Sequence, residues 1–168
     1  IDSSDSQGIQ AAGLAEDFMT IVKLRSFEQR TSPEDALKRA ILWAKDLGAE
    51  AVGVETDQGG DLWRGTYYRM CSDLGIPAPA FRAEKAGSTH QSKVQRISMQ
   101  LPDYETGKIL HLRGTHHVLE GALNRFPKKK PFDLADADFW AWNDLCRFRE
   151  VGGQVFEEVT WADLGATY

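Results

Sequence analysis

Polar and apolar positions change period along this chain in a way that predicts alternating strands and helices. Residues 9–14 read as a short strand, and 18–27 alternates, with Met19, Ile21 and Leu24 set among Thr20, Lys23 and Arg25. With a turn at Ala15-Glu16-Asp17, this predicts a hairpin. Ser32-Pro33-Glu34-Asp35 marks a helix start: Ser32 suits the N-cap, Pro33 the first turn, and Asp35 approximates a capping box. Ala36, Leu37, Ala40, Ile41, Ala44 and Leu47 form its apolar stripe, and Gly48 ends it. Ala51-Val52-Gly53-Val54-Glu55 then reads as a short strand buried on both faces and closed by an acid.

The remainder continues the alternation. A loop at 57–60 precedes a helix over 61–74 that Gly75 closes. A strand is expected within 77–85, a polar loop over 86–91, one helix over 92–101 and a short edge strand over 108–112. Thr115 is a candidate cap for a helix running to Phe126. A last helix follows the basic turn Lys128-Lys129-Lys130-Pro131 and ends near Phe148. This order predicts an α/β fold with a mixed sheet flanked by helices on both faces. Residues 1–150 are expected to form the domain, with 151–168 a tail docking on it.

Composition narrows the class. A hydrophobic content of 42% and charged content of 27% are ordinary for a globular chain with a core. No apolar run approaches the roughly 18 residues a membrane span needs. Cys71 and Cys146 have no metal-ligand spacing and read as buried free thiols of a reducing compartment. The net charge of −5 argues against a basic coat for nucleic acid but leaves room for an acidic metal site. Basic residues cluster locally at Lys128, Lys129 and Lys130, and at Arg82, Lys85, Lys93 and Arg96. Lys85, Lys93, Arg96 and the three lysines are candidates for holding phosphates.

The chemistry-bearing pattern is a set of acids at element ends. At about 100° per residue, Asp133, Asp136 and Trp140 share one face of the last helix, and Leu134, Ala137, Ala141 and Leu145 share an apolar one. Asp138 falls about 140° from Asp133 and points elsewhere. Asp2 and Glu55 sit at strand ends. Carboxylates gathered at strand ends repel one another unless hard cations neutralise them, and Mg²⁺ prefers such oxygen ligands. Two ions about 4 Å apart can activate water and stabilise the leaving oxygen of a phosphodiester. His111, His116 and His117 are poor candidates for such a site.

Asp2-Ser3-Ser4-Asp5, Glu55-Thr56-Asp57-Gln58-Gly59-Gly60-Asp61 and Phe126-Pro127 through Asp133-Leu134-Ala135-Asp136-Ala137 resemble the nuclease domain of the large terminase subunit of tailed bacteriophages. The resemblance runs from Asp2 to about Leu145 and includes the Ser-Pro-Glu-Asp helix start. It implies an RNase H-like fold and a metal-dependent endonuclease that cuts concatemeric viral DNA during packaging. It implies Asp2 as first-strand acid, Glu55 as second-strand acid, Asp136 as last-helix acid and Asp133 as its companion, holding two Mg²⁺ or Mn²⁺ ions. Implied partners are double-stranded DNA, the terminase ATPase domain, the small terminase subunit and the portal, in the bacterial host cytoplasm and away from membranes. Many family members carry a His before the last acidic pair, where this chain has Pro131-Phe132, so the choice between Asp133 and Asp136 as primary ligand stays open. No Gly-x-x-x-x-Gly-Lys-Ser/Thr phosphate loop is present, so ATP hydrolysis is not expected of this chain. Other readings of the same residues are a junction resolvase or transposase core, or a non-catalytic docking module of the packaging machine.

Overall fold

The computed structural model describes residues 6–56, 61–85, 92–114 and 116–151. Strand β1 (Ser6–Leu14) and strand β2 (Ile21–Arg30) form the expected hairpin, antiparallel from Ser6 opposite Arg30 to Leu14 opposite Ile21. The register slips between Ala11 and Ala12, where a bulge takes up one residue. The hairpin turn is tied by Asp17, whose carboxylate accepts from the Thr20 hydroxyl at 2.6 Å and from the Thr20 and Met19 amides at 2.8 and 2.9 Å. Phe18 and Met19 therefore belong to the turn rather than to the strand.

Helix α1 (Pro33–Leu47) starts and stops where the sequence places it. The Ser32 hydroxyl accepts from the Asp35 amide at 3.1 Å, and Gly48 closes the helix in the left-handed region. Strand β3 (Ala51–Glu55), helix α2 (Asp61–Asp73) and strand β4 (Ala80–Glu84) follow, with β3 and β4 parallel and Glu55 opposite Glu84. Leu37 and Ile41 of α1 pack with Val52, Tyr67, Cys71 and Phe81 in one core.

Helix α3 (Lys93–Ser98), helix α4 (Leu101–Glu105), strand β5 (Ile109–His111), helix α5 (His117–Arg125) and helix α6 (Asp133–Val151) complete the described elements. The helix expected over 92–101 stops at Ser98, and a separate helix that was not anticipated begins at Leu101. Pro102 sits in the first turn of α4, where its ring would collide with the carbonyl of Ser98 if one helix ran through. Strand β5 is the edge strand anticipated, parallel to β2. Helix α6 runs beyond Phe148 to Val151. The cap expected from Thr115, the loops at 57–60 and 86–91 and the tail over 152–168 lie outside the described residues.

The fold is thus mixed α/β with flanking helices. Its described strands divide into a mixed sheet, β1-β2-β5, and a parallel pair, β3-β4, rather than one continuous sheet. Strand β3 is not covered on both faces: Val52 is buried, while Gly53 and Glu55 are exposed. A cleft of about 1250 Å³ runs between β1 and β3, walled by the apolar stripe of α1 and by Ala137, Ala141 and Leu145 of α6.

Candidate metal centre

Helix α6 is the element on which the site is built, and β1 and β2 fix where it starts. Gly8 of β1 lies so close to the first turn of α6 that a Cβ there would fall 2.4 Å from the Asp133 carbonyl carbon and the Leu134 nitrogen. Glycine allows this approach because it has no side chain. Glu28 of β2 points one oxygen at the Leu134 amide, at 3.5 Å, and the other at Arg125, at 2.7 Å. A carboxylate beside the open N–H groups of a helix start is favoured by the helix dipole. These contacts set the direction in which Asp133 and Asp136 leave the helix.

The two acids do not project into solvent together. Asp133 is about one-third exposed, whereas Asp136 is 2% exposed and lies against α3. Arg96 of α3 places one guanidinium nitrogen 3.0 Å from each Asp136 carboxyl oxygen. The same nitrogen stands 3.7 Å from Oε1 of Glu55 at the end of β3. Lys93, one turn earlier on α3, contacts Asp133 at 3.2 Å and Asp136 at 3.3 Å. Three of the acids picked from the sequence, Glu55, Asp133 and Asp136, therefore converge from a strand end and a helix start, and all three line the cleft. Asp2 lies outside the described residues, as do Asp5 and Asp57.

Burial works to lower the Lys93 ammonium, but the fields of Asp136, Asp133 and Glu55 outweigh it and raise its pKa. The acids around it favour its charged form. Arg96 corrects an expectation: it is 4% exposed and turned inward onto Asp136, with Trp140 stacked at 5.4 Å, rather than presented to a phosphate on the surface. Lys128, Lys129 and Lys130 lie exposed in the turn between α5 and α6, and Lys85 is exposed just past the end of β4. His111 and His116 are engaged elsewhere, with Tyr104 and Ser26.

Among the described residues, no group of three or more His, Cys, Asp or Glu side chains is gathered tightly enough to hold a metal ion as it stands. The reason is visible in the geometry, since Arg96 and Lys93 stand between the carboxylates. The donor set nevertheless suits a hard divalent cation, being all carboxylate oxygen drawn from separate elements.

Two features of this region are not apparent from the sequence. Arg82, Glu84 and Asp144 line the same cleft; Arg82 pairs with Asp144, and Arg147 beside them reaches Glu84 at 3.6 Å and Asp144 at 3.7 Å. Burial is the main cause that raises the Glu84 carboxyl above its usual range. Behind the site, Lys23 of β2 and Asp138 of α6 form an ion pair at 2.7 Å, both fully buried, and Lys23 also donates to Gln100 at 3.1 Å. Lys23 follows Ile21 by two residues and so shares its inward face.

No protein-family model and no curated protein matches the chain. Among solved structures, it is similar to the Thermus thermophilus RuvC structure, at 16% identity over 90% of this chain and 92% of that one, with a TM-score of 0.43.

Proposed function

We propose that this chain is a metal-dependent DNA endonuclease on an RNase H-like scaffold and, more finely, the nuclease domain of a tailed-phage terminase large subunit, acting on concatemeric DNA in the bacterial cytoplasm. The observation that carries the reading is the meeting of Glu55 with Asp133 and Asp136 in the lining of one cleft. Glu55, Asp133 and Asp136 would hold Mg²⁺ or Mn²⁺, with Asp2 as the proposed fourth ligand. The bound ions would supply an activated water and charge stabilisation for the leaving oxygen. The chain's own part is to aim three carboxylates at a common point from rigid elements. Exposed Lys128, Lys129, Lys130 and Lys85 are the proposed phosphate contacts on the backbone of duplex DNA. The packaging ATPase, the small subunit and the portal are the proposed protein partners.

The test is nicking of supercoiled plasmid in Mg²⁺ or Mn²⁺. Cutting is expected in the wild type and loss of at least about 100-fold in Glu55→Ala and Asp136→Ala, the scale on which transition-state charge stabilisation is lost. Unchanged cutting in both variants would put the chemistry elsewhere. A strong preference for four-way junctions over linear duplex would reassign the chain to junction resolution.

A further inference from the structure

We propose that Arg96 is a resident counter-ion of the acid cluster, and that its guanidinium must release Asp136 for a divalent ion to bind. The inference rests on the metal-centre reading above. One Arg96 nitrogen touches both Asp136 oxygens at 3.0 Å and faces Glu55 at 3.7 Å. It therefore bridges the strand acid and the helix acid, which is the span a metal would have to bridge.

The two cations cannot share that place. A metal ligated by Asp136 sits about 2.0–2.2 Å from its oxygens. A guanidinium nitrogen 3.0 Å from the same oxygens would then face a divalent charge within a few ångströms, with both Arg96 and Asp136 buried. The guanidinium carbon also lies over the Trp140 ring, 5.4 Å from its centroid. Lys93 differs, because its side chain is about one-third exposed and can swing into solvent without leaving a buried charge. Arg96 is buried, so its displacement is the costly step, and metal affinity is reduced by the population in which it still holds Asp136. Before metal arrives, the arginine keeps converging carboxylates from repelling one another. Metal loading thus becomes an exchange of one cation for another.

The test is Mn²⁺ binding to the whole chain, followed by electron paramagnetic resonance and calorimetry. Arg96→Gln is expected to bind Mn²⁺ at least about tenfold more tightly than wild type, as when nine-tenths of the protein is held in a closed state. Lys93→Ala should change affinity less. In EDTA the melting temperature of Arg96→Gln should fall, and Mn²⁺ should restore it by more than it raises the wild type, which a merely structural arginine would not produce. A second measurement needs no variant. Mg²⁺ added to ¹⁵N-labelled wild type should turn the slowly exchanging Arg96 guanidinium protons into fast ones. Equal or weaker Mn²⁺ binding by Arg96→Gln, or guanidinium protons still protected at saturating Mg²⁺, overturns the proposal. If Glu55→Ala still weakens Mn²⁺ binding in that case, the metal centre stands without the exchange. If neither Glu55→Ala nor Asp136→Ala affects binding, the metal centre itself fails and the exchange with it.

Discussion

The approach of Gly8 to the start of α6 makes a sharp prediction, because a second glycine in the same strand supplies its control. A Cβ built on Gly8 lies 2.4 Å from the Asp133 carbonyl carbon, 2.4 Å from the Leu134 nitrogen and 2.5 Å from the Asp133 oxygen. All three are backbone atoms, which cannot rotate out of the way as a side-chain tip can. Relief to an ordinary separation requires a relative movement of β1 and α6 of about 1 Å. Such overpacking costs about 1–3 kcal/mol, and the upper end is expected because the obstacle is helix backbone packed on two sides. At Gly13 the same Cβ meets only Leu24 Cδ1, at 3.7 Å, which is normal packing. Gly13→Ala should therefore be neutral, or stabilising by about 0.4–1 kcal/mol through the unfolded chain. Equilibrium unfolding in urea measures both. The displacement is directed at the first turn of α6, so Gly8→Ala should also weaken Mn²⁺ binding, although residue 8 carries no ligand. Equal stabilities for the two alanine variants would refute the reasoning, since propensity treats both positions alike and only the close approach separates them.

Three other perturbations test the remaining charges. Lys23→Met should destabilise by about 3–5 kcal/mol in urea unfolding, because it leaves Asp138 buried and unpaired, and the double variant Lys23→Met/Asp138→Leu should recover most of the loss. Burial is the chief cause that lowers the His116 imidazole below 6.5. Its neutral form is thus favoured by folding; the contribution is whole above pH 6.5 and shrinks as pH falls, because the unfolded chain takes up a proton that the fold resists. Thermal melts between pH 7 and about pH 5 should show a shallower decline in His116→Gln than in wild type; parallel curves would remove His116 from the account. Replacing Lys128, Lys129 and Lys130 with alanine should weaken duplex binding without sequence preference and reduce the salt slope by about 0.9 for each phosphate left unneutralised; an unchanged slope would place DNA elsewhere.

What could be read from the sequence was what local chemistry decides. The Ser32-Pro33 start and Gly48 stop of α1 appear where capping rules put them, since one hydroxyl, one ring and one left-handed residue suffice to fix a helix. Glu55 was legible because an acid closing an apolar run stands out, and Asp133 and Asp136 because three residues make one helical face. Their partners were not legible. Lys93 and Arg96 carried the right spacing for one face of α3, behind a Ser92–Gln95 capping box, but spacing does not say whether that face meets solvent or α6. Lys23 was hidden for a related reason: in an alternating strand a lysine suggests the wet face, and only the fold shows an aspartate waiting on the dry one. The split of the strands into two sheets is likewise a fact of pairing between distant residues, which no local period encodes.

The acids of α6 show why such partners decide function. Asp133, Asp136 and Asp138 lie within six residues of one helix and share a chemistry. Asp138 meets Lys23 in a closed, fully buried pair, with a strand on one side and Gln100 completing the lysine's contacts. Neither side chain of the pair is exposed, which fits a structural role. Asp136 is nearly as buried, yet its cation comes from the six-residue helix α3, and that cation also neighbours Glu55 and Trp140. Asp133 is partly exposed, with Lys93 as a replaceable neighbour. Accessibility therefore rises from Asp138 through Asp136 to Asp133, and the proposed exchange of a protein cation for a metal concerns only the latter two. It follows that Asp138→Asn should lower stability without altering Mn²⁺ affinity in the folded fraction, whereas Asp133→Asn should lower affinity with little loss of stability. If the two substitutions had the same effects, burial and partner would not be what divides the scaffold acid from the site acids.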